Sequence, residues 1–279
     1  MFAKLVKYDF RSVFRFWWIA AVASLPLSIV GGFCVQILDK DIAYEEELAL
    51  IYIMAVLGIF MTVFALIIFA ELSNVLVYIR FYRNFFTDEG YLTFTLPVKK
   101  NSLLNSKLLV GMLFSLMTFA VILIDILTIL TIGIPREIYS KEFLLGLKDV
   151  LAEFFNEEII FNILILLEGI AALILIVAIS FMVIFVCMTS AAVLVRRCKV
   201  LLAVGMIYAA SSIGSTCSQL FTFFATMVSA MIFDMNIPKL QENIATSVAM
   251  LGVVAILGIV FFALYTFETY LLDRKLNLE

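Results

Sequence analysis

Histidine does not occur once in the 279 residues, and its absence removes several chemistries at the outset. Zinc sites built on imidazole, Ser/His hydrolysis and histidine-ligated haem are all excluded. Cysteine is nearly as scarce. Cys34, Cys187, Cys198 and Cys217 stand singly in apolar surroundings with no CxxC pair, so they read as small packing residues, not as a disulfide framework or metal site. Charge is also thin: 15% of residues are Asp, Glu, Lys or Arg, where about 25% is usual in soluble domains. A net charge of −3 and a pI near 5.2 give no global basic field for nucleic acid. No G-x-x-x-x-G-K-[ST] occurs, and no polar stretch is long enough to fold a nucleotide-binding domain. The chain therefore has no means of cradling ATP phosphates by itself.

What is present is apolar surface: 65% hydrophobic residues, 27 of them phenylalanine, and a mean hydropathy of +1.15. That composition belongs to an integral membrane protein. A hydrocarbon core of about 30 Å takes about 20 apolar residues as helix, and runs of that kind lie at 16–38, 49–80, 107–133, 159–195, 200–233 and 245–272. The expectation is an all-α fold, a single transmembrane domain over 1–279 with six transmembrane helices. The first run opens on Phe16, Trp17 and Trp18, an aromatic belt at a polar boundary, and its apolar region is too long for a removable signal peptide.

Basic residues set the orientation. The N-terminus, the second-to-third and fourth-to-fifth connections and the C-terminus together hold Lys4, Lys7, Arg11, Arg15, Arg80, Arg83, Lys99, Lys100, Lys107, Arg196, Arg197, Lys199, Arg274 and Lys275. The other side has Lys40, Arg136, Lys141, Lys148 and Lys239 among an acidic excess. By the positive-inside rule both termini are expected in the cytoplasm.

Three features depart from a plain six-helix array. Residues 1–15 place Phe2, Leu5, Val6, Phe10, Val13 and Phe14 on one helical face, the pattern of an amphipathic helix lying in the interface. Residues 134–158 alternate apolar and charged positions at helical spacing after Pro135, which predicts an amphipathic segment on the outer surface. The polar stretch SSIGSTCSQ at 211–219 interrupts the fifth run, so 220–233 is expected to re-enter or turn outside instead of continuing the span.

The most informative connection is RFYRNFFTDEGYLTFTLPVKKNSLLNSK, residues 80–107. Phe81, Phe85, Phe86, Tyr91, Leu92, Phe94 and Leu96 are costly to leave in water and need burial. Thr87, Asp88, Glu89 and Gly90 make a polar corner, with Thr87 or Asp88 placed to cap a short helix and Gly90 permitting close backbone approach. Pro97 ends the element, and Asn101 or Ser102 is placed to cap the third span.

The run DEGYLTFTLPVKKNSLLNSKLL, with the amphipathic N-terminus, the six spans and the terminal RKLNLE, resembles bacterial ABC transporter type-2 permeases of a Gram-positive branch. The resemblance implies a type V ABC exporter-like fold in the bacterial plasma membrane. It implies that the element at 81–100 is a coupling helix docking on a separate ATPase subunit, and that two permeases, identical or paralogous, line the pathway. Carried onto this chain, the coupling residues are Phe85, Phe86, Thr87, Asp88, Glu89, Gly90, Tyr91 and Phe94, with Asp88 and Glu89 as the polar contacts. No cofactor is implied for this chain, which is not expected to be an enzyme; ATP and Mg belong to the partner.

Four acids fall within apolar runs, each asking for a partner or an aqueous surface because insertion there costs at least about 2.5–3.5 kcal/mol. Glu71, near Ser73 and Asn74, reads either as the lining of a pathway or dimer interface, or as a structural interhelical hydrogen bond. Asp125 and Glu168 read as solvated near outer ends, and Glu268 as snorkelling or pairing towards Arg274 and Lys275. Ser211, Gly214, Ser215 and Ser218 form a small polar face, read as close helix packing or as a dimer seam or pathway lining. Two other classes stay open: a secondary transporter or channel using intramembrane acids, and a membrane assembly or sensor protein that moves no substrate.

Overall fold

A computed structural model describes residues 2–39, 49–87, 90, 95, 98–133, 145–146, 148, 152, 155, 159–195, 198–234 and 239–274. Six long helices hold most of them: α1 (Phe2–Asp39), α2 (Ala49–Phe86), α3 (Lys100–Gly133), α4 (Ile159–Leu194), α5 (Lys199–Asp234) and α6 (Lys239–Arg274). There is no strand among the described residues. All six helices are long and apolar enough to cross a bilayer, and only helices satisfy every backbone group within the crossing segment. The chain is an all-helical, multi-pass membrane protein.

The helices overrun the expected spans. At 34 to 38 residues each they reach about 51–57 Å at 1.5 Å per residue. α1 runs unbroken from Phe2, so the expected separate interfacial helix over 1–15 is continuous with the first span. α3 starts at Lys100, earlier than expected, because the Ser102 and Leu103 N–H groups both donate to the Lys99 carbonyl. Asn101 and Ser102 accordingly lie inside the helix and do not cap it. α5 also continues through 220–233, correcting the expected re-entrant turn. The Ser211, Ser215 and Thr216 hydroxyls donate to carbonyls three or four residues back, so these polar residues are satisfied locally and leave the helix intact.

Two compact units divide the chain, one made of Met1–Arg80 with Leu109–Phe155 and the other of Phe81–Leu108 with Asn156–Glu279. In the first, α1 and α3 run in the same direction at a nearly constant sequence offset. Trp17 Nε1–H donates to Thr118 Oγ1 at 2.9 Å, an offset of 101 residues, and Thr118 also shares a 2.6 Å hydrogen bond with Ser73 of α2. Further along, a Cβ placed on Gly32 would sit 2.7 Å from the Ile132 Cβ, and one on Gly133 would sit 2.7 Å from Val35. Glycine at these positions lets the helices touch backbone to backbone. Near the start of α1, Phe10 stacks on Phe114 and buried Asp9 accepts a 3.4 Å bond from Arg80 Nε. That end of α1 is thus packed on α2 and α3.

The second unit has the same plan in α4 and α6. Ser247 Oγ donates to Glu168 Oε1 at 2.8 Å and Thr189 Oγ1 donates to Glu268 Oε1 at 2.6 Å, each across 79 residues. Equal offsets mean parallel helices held in one register. The two pairs lie three heptads apart, about 31 Å along the axes, close to the thickness of the hydrocarbon core. On α6, Ser247, Met250, Val254, Leu257, Phe261, Leu264, Glu268 and Leu271 are all wholly or partly buried. This alternating three-four spacing is the seam of a left-handed coiled coil.

Candidate functional site

The connection between α2 and α3 is built into the second unit at both of its roots. α2 brings in Phe81 and Phe85, both 0% exposed. Phe81 stacks on Phe185 of α4 with centroids 3.9 Å apart and planes within 12°, and on Phe85 at 4.7 Å. Four-residue spacing on one helix face brings Phe81 and Phe85 together, and burial of two large rings fixes that end of α2 on α4. Phe86 is half-buried at the edge of the same cluster, 5.9 Å from Phe81.

Thr87 closes α2 by donating its hydroxyl to the Arg83 carbonyl at 2.6 Å. It therefore finishes the preceding helix; the residues it was expected to cap lie outside the described ones. Three residues on, the Gly90 N–H donates to the Thr87 carbonyl at 2.7 Å. Gly90 is buried, and a Cβ there would lie 2.8 Å from the Phe85 carbonyl oxygen. The close backbone approach expected of Gly90 is therefore present, and glycine is needed for it. Asp88, Glu89, Tyr91 and Phe94 lie outside the described residues.

At the other root, Lys100 Nζ donates to the Leu272 carbonyl at 2.7 Å and stands 3.7 Å from an Asp273 carboxylate oxygen. α3 is thereby tied to the last turns of α6, where the unsatisfied carbonyls of a helix end favour a cation. Leu104 at 0% and Leu272 at 1% exposure belong to the same core. Nothing local in KKNSLLNSK distinguishes Lys100 from Lys99, so this tie has no signature in the sequence.

The acids within the spans behave otherwise than expected. Glu268 is fully buried against Thr189 and does not snorkel towards Arg274. Glu168 is only 9% exposed and bonded to Ser247, not solvated at an outer end. Asp125 is 0% exposed, and neither of its oxygens has a hydrogen-bond partner among the described residues. One periodicity accounts for all three, since each acid occupies the helix stripe that meets a neighbour. Glu71, by contrast, is exposed on α2, and Asn74 beside it is half-buried.

On α5, Ser211, Gly214 and Ser215 are exposed, and a Cβ on Gly214 would meet nothing within 4 Å. α5 meets α4 at another level, where the Ser190 hydroxyl approaches the Met206 sulfur at 3.7 Å. The side chain of Ser218 lies outside the described positions. No group of three or more Cys, Asp or Glu side chains converges on a metal site among the described residues. Comparison of the chain with family models, with curated proteins and with solved structures finds no match in any of the three.

Proposed function

We propose that this chain is the membrane-spanning permease subunit of an ATP-driven ABC exporter in the bacterial plasma membrane, with both termini in the cytoplasm. Two copies, or this chain and a paralogue, would form the pathway on two separate ATPase subunits. The observation that carries this reading is the α2–α3 connection. Both of its roots are packed into one unit with the ends of α4 and α6, through the Phe81–Phe85–Phe185 stack and the Lys100–Leu272 bond. A loop with both roots anchored in this way would pass a push on its tip to α4 and α6, whereas a solvated hairpin would absorb it.

In this reading the partner binds ATP and Mg and supplies the closing motion. Residues Phe85–Phe94 receive it, with Asp88 and Glu89 making polar contacts to the partner, and Gly90 sets the shape of the corner. The α4–α6 pair, clamped by carboxylate–hydroxyl bonds about 31 Å apart, would move as one body. The exposed polar face at Ser211, Gly214 and Ser215 would meet the second permease, with Glu71 and Asn74 on pathway or dimer surfaces.

Isolation of the tagged chain from its native membrane in mild detergent tests the reading. A second polypeptide carrying G-x-x-x-x-G-K-[ST] is expected to co-isolate, with ATPase activity in the complex. Recovery of the folded chain with no such partner, in membranes that express it normally, would overturn the assignment.

A further inference from the structure

We propose that Asp125 of α3, together with Ser24 and Ser28 of α1, binds a monovalent metal cation of the sodium class inside the first unit. The register shared by Trp17 and Thr118 and by Gly32 and Gly133 brings Ser24 to about the level of Asp125. Ser28 is one turn further along the same stripe of α1. Ser24 is 4% exposed, and Ser28 and Asp125 are both 0%.

The chemistry of these groups is one-sided. The Ser24 hydroxyl donates to the Ala21 carbonyl at 2.9 Å and the Ser28 hydroxyl to the Leu25 carbonyl at 2.8 Å. Each has spent its proton on its own helix and turns only lone pairs outward. Asp125 adds two carboxylate oxygens with no hydrogen-bond partner among the described residues. Oxygen acceptors without a donor, at a buried level of a membrane-spanning helix pair, call for a positive species.

Among the described residues, no basic side chain of α1, α2 or α3 reaches this level. On α1 the nearest is Arg15, about 13 Å back along the axis from Ser24. On α3 it is Lys107, about 27 Å from Asp125. On α2, Thr62 lies level with Gly31, which puts Arg80 about 16 Å from the level of Ser24. A divalent ion of the calcium or transition-metal kind needs more carboxylate, cysteine or histidine ligands than one aspartate. A single carboxylate with hydroxyl oxygens balances one positive charge. The site is independent of the exporter reading.

The test uses the purified full-length protein in detergent, its thermal unfolding midpoint followed against sodium chloride with choline chloride holding ionic strength constant. The wild type is expected to show a saturable rise specific to sodium or lithium. Asp125→Asn is expected to abolish that rise, and Ser24→Ala with Ser28→Ala to weaken the apparent affinity by about tenfold or more. Should Asp125→Asn fail to fold, the serine pair carries the test alone. A wild-type midpoint indifferent to sodium, or variants that keep the full response, would overturn the proposal. So would an infrared band of a protonated carboxylic acid that Asp125→Asn removes and sodium leaves unchanged, because it would assign a neutral buried acid.

Discussion

Phe85→Ala is expected to destabilise the protein by about 3–5 kcal/mol, the usual range for truncating a fully buried phenylalanine. The ring is 0% exposed and stacks on Phe81, which in turn stacks on Phe185. Removal therefore opens a cavity beside the Phe81 and Phe86 rings. Phe85→Leu keeps most of the volume and is expected to cost less than half as much. Phe86→Ala, at a half-buried position, should fall well below both. Thermal unfolding of the purified variants in one detergent ranks the three. Equal midpoints for Phe85→Ala and Phe86→Ala would show that the stack does not anchor the connection.

The second large effect is an asymmetry at the α4–α6 clamp. Thr189→Val removes the hydroxyl that donates to Glu268 Oε1, while Glu268 Oε2 already has no partner among the described residues. A fully buried carboxyl group is then left unsatisfied, at about 1–3 kcal/mol and more if it is ionised. Glu268→Leu acts differently, because the Thr189 hydroxyl left behind can turn to a carbonyl of its own helix and the new side chain is apolar. Thr189→Val should therefore lower the unfolding midpoint more than Glu268→Leu, and the double variant should recover most of the loss. A neutral Thr189→Val, or a double variant worse than both single ones, would contradict the assignment of this bond as a clamp. Such cycles apportion coupled groups cleanly.

The spans were readable because apolar run length alone decides them. Their ends were not. Lys100 and Phe86 belong to helices that extend beyond the apolar runs, and the first turn of α3 depends on the Lys99 carbonyl, a backbone contact with no side-chain signature. The polar run SSIGSTCSQ suggested a break because polar side chains in a span look costly, yet the Ser211, Ser215 and Thr216 hydroxyls each donate within one turn of their own helix.

The acids obey the helix repeat, not their depth in the span. Glu168 and Thr189 are three heptads apart on α4, and so are Ser247 and Glu268 on α6. That repeat is present in the sequence and puts each acid on the face of its hydroxyl partner, whereas distance from the helix ends carries no such information. Asp125 is likewise one heptad beyond Thr118. Periodicity identifies which face a polar residue shares, whereas depth along the helix does not. The burial of Phe81 and Phe85, in contrast, followed directly from their size and spacing in an otherwise polar connection.

The docking of a separate ATPase on the α2–α3 connection is the claim on which the functional account rests. The most direct measurement is the amount of ATPase subunit that co-isolates with Asp88→Ala/Glu89→Ala, along with the ATP hydrolysis of that complex. Thermal unfolding would verify that the variant is folded. The account predicts an unchanged unfolding midpoint and a loss of association of about tenfold, equivalent to about 1.4 kcal/mol. Undiminished association and hydrolysis in the folded variant would contradict it.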